Sequence, residues 1–73
     1  MSKLPVISGP ECVKALAKIG FYIKRRESSH LILRRDNPYS QVVVPDYKEL
    51  RPGTLRVIIN QVGLSMDEFV KLL

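Results

Sequence analysis

"FYIKRRESSHLILRRDNPYSQVVVP", residues 21–45, contains three β-rich runs and two turn-like connections, and its reading decides the fold. "FYIKRR" and "HLILRR" carry residues that suit a pleated, half-buried surface, and they flank "ESS", a connection short enough for a hairpin. "DNPYS" separates the second run from "QVVVP", with Asp36, Asn37 and Pro38 as turn residues. An antiparallel meander is the simplest arrangement. Strand side chains alternate between faces, so Leu31 and Leu33 share one face while His30, Ile32 and Arg34 share the other. Phe21 and Ile23 supply a matching apolar face in the first strand. If the leucines meet a core, His30 points to the open side of the sheet.

Helices flank this meander. In "ISGPECVKALAKIG", Ser8 and Glu11 have capping-box spacing, Ile7 and Cys12 are placed to form a hydrophobic staple, and Pro10 suits a first turn that needs no amide donor. Val13, Leu16 and Ala17 recur at helical spacing, Lys14 and Lys18 face away, and Gly20 is expected as a left-handed cap. After Pro45 a polar crossing, "DYKELRPG", leads into "TLRVIINQVG", where Leu55, Ile58, Ile59 and Val62 follow the helical period and Gly63 closes it. A second capping box, Ser65 to Glu68, opens a short last helix. The expected fold class is α+β, similar to a double-stranded-RNA-binding domain: a three-stranded antiparallel sheet with helices on one face, α-β-β-β-α plus a short C-terminal helix. Leu16, Leu31, Leu33 and Ile58 are expected in its core.

The chain has 73 residues, at the size where one hydrophobic core just suffices, and no repeat or linker divides residues 1–73. Lys and Arg number 12 against 7 Asp and Glu, so the net charge is +5 and polyanions are the first partners to consider. One cysteine, Cys12, cannot form an internal disulfide, and it reads as a buried thiol in a reducing compartment. One Cys and one His cannot supply the four ligands of a structural zinc, so no metal and no cofactor are expected. "MSKLPVISGP" has no long apolar run and no stretch of the chain reaches membrane-spanning length, so the expectation is a soluble, cytoplasmic protein without a membrane partner.

His30 is the leading candidate for chemistry, because imidazole exchanges protons near cellular pH. RNA offers a matching reaction: a general base takes the 2′-hydroxyl proton, the oxygen attacks the adjacent phosphorus, and cations stabilise charge on the phosphoryl oxygens. Lys24, Arg25, Arg26, Arg34 and Arg35 supply such cations around the hairpin, against a single Glu27. Arginines at strand ends also serve simply as a solvated, aggregation-resistant edge, and a lone histidine opening a strand is often structural. The last two helices superficially resemble a helix-turn-helix, but Asp67 and Glu68 at the start of the second would meet phosphates, which argues against that reading. The chain has no Gly-rich phosphate loop with Lys-Ser/Thr and no His-Glu-x-x-His motif.

"GFYIKRRESSHLILRR" followed by "VVVPDYKELRPGTLRVIINQVGLSMDEFVKLL" resembles the HicA toxins of bacterial and archaeal toxin-antitoxin pairs. The resemblance rests on Gly20-Phe21, Ser29-His30, Val44-Pro45 and "PGTLRVIINQVGLS" at residues 52–65, and it runs through nearly the whole chain. It implies a small, metal-independent ribonuclease that cuts messenger RNA and arrests translation, with His30 as the catalytic histidine. It also implies a HicB-type antitoxin that blocks the active site, with operator DNA met only indirectly through that partner. Lys24, Arg25, Arg26, Ser28, Ser29, Arg34 and Arg35 are the expected RNA-binding residues, Ser29 helping to orient substrate or imidazole. Two positions depart from the family pattern: Ser28 stands where a glycine usually precedes Ser-His, and Tyr47 where many relatives have a histidine. Tyr47, a lysine, water or a second protomer's His30 is the expected acid. The rival reading is a non-catalytic RNA-binding module using the same basic face.

Overall fold

The computed structural model describes residues 4–73; Met1 to Lys3, which the expected 1–73 unit and the N-terminal reading include, lie outside the described residues. The elements run α1 (Gly9–Ala17), β1 (Tyr22–Glu27), β2 (His30–Asp36), β3 (Tyr39–Pro45), α2 (Pro52–Gln61) and α3 (Met66–Val70). The sheet is antiparallel in the order β1-β2-β3, so the strand that carries His30 is the central one. This is the expected α+β meander. Among the described residues no helix is long and apolar enough to cross a membrane.

Both capping boxes form. Ser8 caps α1 and Ser65 caps α3: each hydroxyl accepts an N–H from Glu11 or Glu68, whose carboxylates accept the cap residue's own N–H at 2.9 and 2.8 Å. Those hydrogen bonds, led by the one from the backbone N–H, hold both glutamate carboxyls below their ordinary value. Gly20 and Gly63 adopt the left-handed backbone expected of helix caps, at φ 100° and 79°. α2 begins at Pro52, inside the stretch expected as a crossing. Arg51 caps it without a side-chain hydrogen bond, so the usual polar start signal is missing and only the proline at the first turn marks its entry.

Leu16, Leu31, Leu33 and Ile58 are all buried, in one core with Val42, Val44, Leu55, Ile59 and Phe69. Ile7 and Cys12 join that core, which matches the staple. The buried face of α1 is Cys12, Ala15 and Leu16; Val13 only borders it and Ala17 is exposed, so the apolar stripe lies further toward the N-terminus than Val13-Leu16-Ala17 implied. Phe21 is buried, but Ile23 is 49 % exposed although it shares a face with Leu33. β1 is an edge strand, and its register shifts between Ile23 and Arg25, which leaves Ile23 on the rim. The crossing also contributes: Leu50 is buried and its N–H donates to the Ile7 carbonyl at 2.8 Å.

Candidate active site on the open sheet face

The register sorts the hairpin side chains. Directly paired residues share a face. Since Leu31 pairs with Val44 and Leu33 with Val42 over the core, His30, Ile32, Arg34 and Asp36 point to the open side. Ile32 is buried yet stands outside the core cluster; Arg25 and Val43, its register partners, flank it on the open face. An apolar centre edged by an arginine stem covers the middle of that face.

His30 heads β2, exposed, between Glu27 of β1 and Pro45 of β3. Its imidazole makes no hydrogen bond with a described residue, so both ring nitrogens are open to a ligand. The loop before it is the two-residue turn Ser28-Ser29, one residue shorter than "ESS", because Glu27 belongs to the strand. Ser28 has φ 55°, the left-handed region that such hairpin turns fill with glycine. The Ser29 carbonyl accepts the Asp46 N–H at 2.7 Å, and the Asp46 carboxylate ion-pairs with Arg26. Asp46 therefore ties the hairpin tip to the segment after β3 through backbone and side chain together.

The five hairpin cations do not form one surface. Arg25 pairs with Ile32 and Arg34 lies on β2, so these two flank the open face on which His30 stands. Arg26 pairs with Leu31 and points to the helix side. Arg35 also lies on that side: its guanidinium sits 4.8 Å over the Phe21 ring, and its Nε donates to the Pro38 carbonyl at 3.0 Å. Lys24 falls at the register shift of β1 and has no ion-pair partner among the described residues. One inserted residue in β1 thus turns Arg25 to the open face and Arg26 away from it.

Both open-face arginines carry a carboxylate. Arg25 Nε lies 2.6 Å from Glu27 and Arg34 Nε 2.8 Å from Asp36. Pairs this exposed contribute about 0–1 kcal/mol, so a phosphate can displace the carboxylate from either guanidinium. Tyr47 is 50 % exposed, two residues past the Pro45 that pairs with His30, and its carbonyl accepts the Gly9 N–H at 2.8 Å. A side chain on Gly9 would place its Cβ 2.1 Å from the Pro45 carbonyl oxygen, so the close approach of α1 to this end of β3 requires glycine. Cys12 takes no part: burial pushes its thiol up to about 12, and it stays protonated.

Sequence reasoning passed over Glu27, treated there only as a charge against the basic cluster. A two-residue hairpin places the residues before and after its loop directly opposite each other, and this puts the Glu27 carboxylate in cross-strand reach of the imidazole. The loop length carried that signal. Nothing local in the sequence marked the approach of Asp46 to Arg26. A separate groove of about 370 Å³ runs beside the β3 edge against α2, lined by Gln41, Val43, Val57 and Gln61 among others, with no charged or histidine side chain in its lining.

A family model described as "HicA toxin of bacterial toxin-antitoxin" matches residues 9–64, from the start of α1 through the turn after α2. No curated protein matches the chain. The matched span holds the whole sheet, the hairpin with His30, and the two longer helices that cover its other face, and on that coverage the chain belongs to the HicA family of toxins from toxin-antitoxin systems.

Proposed function

We propose that this toxin is an endoribonuclease that cleaves messenger RNA with His30 as its proton-transfer residue. The observation that carries the reading is an exposed imidazole, the chain's one histidine, on the open sheet face of a HicA-family fold, with Arg25 and Arg34 further along that same face. In the forward step His30 takes the proton of a 2′-hydroxyl. The 2′-oxygen then bonds to phosphorus, the bond to the 5′-oxygen breaks, and that oxygen leaves with a proton. The products are a 2′,3′-cyclic phosphate and a free 5′-hydroxyl. Arg25 and Lys24 stabilise the charge growing on the phosphoryl oxygens. Ser29 orients the substrate, and Ser28 holds the turn.

A single imidazole cannot accept one proton and donate another at the same instant. The Tyr47 hydroxyl or water supplies the leaving-group proton, and Glu27, opposite His30, takes an imidazole N–H when it swings off Arg25. Arg34 contributes further along the RNA path on the open face, while Arg26 and Arg35, turned to the helix side, lie off it. The chemistry needs no metal. Residues 1–73 act as one toxin domain, and its antitoxin is of the HicB type, capturing the open face and linking the pair to operator DNA. The mutually neutralised arginines of that face suit a partner whose carboxylates replace Glu27 and Asp36.

The test is expression of wild type and His30→Ala from a controlled promoter, with growth and a reporter messenger RNA followed, and purified protein on RNA in parallel. Wild type should arrest growth and cut RNA; His30→Ala should do neither while keeping its circular dichroism spectrum. Cutting at an equal rate by both proteins would remove His30 from the chemistry, and cutting by neither would leave the binding-module reading in its place.

A further inference from the structure

The far end of the open face carries a cluster that the cleavage step does not use. Tyr22 and Tyr39 stand on β1 and β3 at either side of Arg34 and Asp36 on β2, and the two residues are 44 % and 64 % exposed. The Tyr22 hydroxyl donates to both Asp36 carboxylate oxygens at 3.1 and 3.2 Å. Arg34 binds the same carboxylate through Nε and lays its guanidinium 5.2 Å from the centre of the Tyr39 ring. Tyr39 hydrogen-bonds Gln41 at 3.3 Å. Each ring is thus held by a polar contact at its tip while its faces remain open on one side.

We propose that Tyr22, Tyr39 and Arg34 form a base-stacking platform for single-stranded RNA, a second subsite that holds the strand whose phosphate lies at His30. The proposal rests on the ribonuclease reading and extends it. The Arg34 guanidinium lies against the Tyr39 ring, so this corner offers flat π surfaces beside its cation; the unpaired Lys24 and the displaceable Arg25 meet the backbone closer to His30. Exposed aromatics on a sheet face, edged by positive charge, are how proteins hold unpaired bases with little regard to sequence. The four steps from His30 to Arg34 span roughly 13 Å along the strand. That distance corresponds to about four stacked nucleotides at about 3.4 Å each, and to fewer in an extended strand. A duplex would bury its base faces in its own stack, so the platform selects unpaired RNA.

The chain has three tyrosines and no tryptophan, so once Tyr47 is replaced by Phe the tyrosine emission comes from the two platform rings alone. Binding of a ~10-nucleotide RNA to a His30→Ala, Tyr47→Phe protein, in which nothing is cut, should quench that emission. In the same background Tyr39→Ala should weaken binding roughly tenfold, and Tyr39→Phe, which keeps the ring, should restore it. With His30 present, Tyr39→Ala should raise KM for the ~10-nucleotide substrate with little change in kcat, and the ratio of variant to wild-type KM should fall to about one on a dinucleotide too short to reach the platform. Equal affinity of Tyr39→Ala and the parent for the longer RNA, or an equal loss on the dinucleotide, would overturn the platform. If wild type cuts no RNA at all, the ribonuclease reading fails while the quenching measurement still decides the platform.

Discussion

Ser28→Gly should make the protein more stable. Ser28 sits at φ 55°, where a side chain meets the following carbonyl and an L-residue loses about 1–2 kcal/mol relative to right-handed backbone. Its hydroxyl has no hydrogen-bond partner among the described residues, so the substitution removes no contact. Glycine returns part of the gain, because its unfolded chain has more freedom to lose, by about 0.5–1 kcal/mol. The net effect is a stabilisation of about 0.7 kcal/mol, which in a domain of this size shifts Tm upward by about 3–6 °C. Thermal unfolding followed by circular dichroism at fixed pH and protein concentration measures it. A Tm equal to or below that of wild type would refute the reasoning, since it would mean that the left-handed turn carries no strain or that serine stabilises it in an unrecognised way. The Ser28 position, the one family departure that lies in the turn before His30, is thereby given a physical consequence independent of catalysis.

Gly9→Ala should act in the opposite direction and more strongly. The added Cβ would lie 2.1 Å from the Pro45 carbonyl oxygen, backbone that cannot swing aside, so a loss of about 3 kcal/mol in urea unfolding is expected. Leu33→Ala, at the centre of the core on the central strand, should cost about 2–5 kcal/mol, whereas Val57→Ala, 55 % exposed, should stay within about 0.5 kcal/mol. Cys12 is fully buried with its thiol raised to about 12, so a thiol reagent at about pH 8 should label it only after unfolding; labelling of the native protein at the rate of a free thiol would contradict the packing of α1. Glu11 and Glu68 have folded carboxyl values held below 4.5, so their contribution is complete above that value and is lost as pH falls through the lower, folded value. Tm should therefore drop on acidification below about 4.5, and Glu11→Gln with Glu68→Gln, which keep the cap without the charge, should make that limb shallower.

Local signals were enough to read the helices with strong caps and the three strands, because a Ser-x-x-Glu box or a two-residue period is a property of neighbouring residues. α2 began earlier than expected for the same reason: Arg51 gives no cap, so its entry had no strong local mark. The single imidazole and its open-side direction also followed from alternation along one strand. The arrangement around it did not. Alternation in β1 fails at one inserted residue, and that residue exchanges the two faces downstream of it, so that Arg25 rather than Arg26 stands on the open side.

Composition and periodicity by themselves determined that this chain is a small basic α+β unit with His30 on the exposed side of its middle strand, since those features depend on spacing within one element. Tertiary structure alone decided how the charges around the hairpin are paired. Asp46 reaches Arg26 from twenty residues away, and Tyr22, Arg34, Asp36 and Tyr39 meet across three strands. Contacts of that kind depend on register, and register is set by how the whole sheet settles on its core.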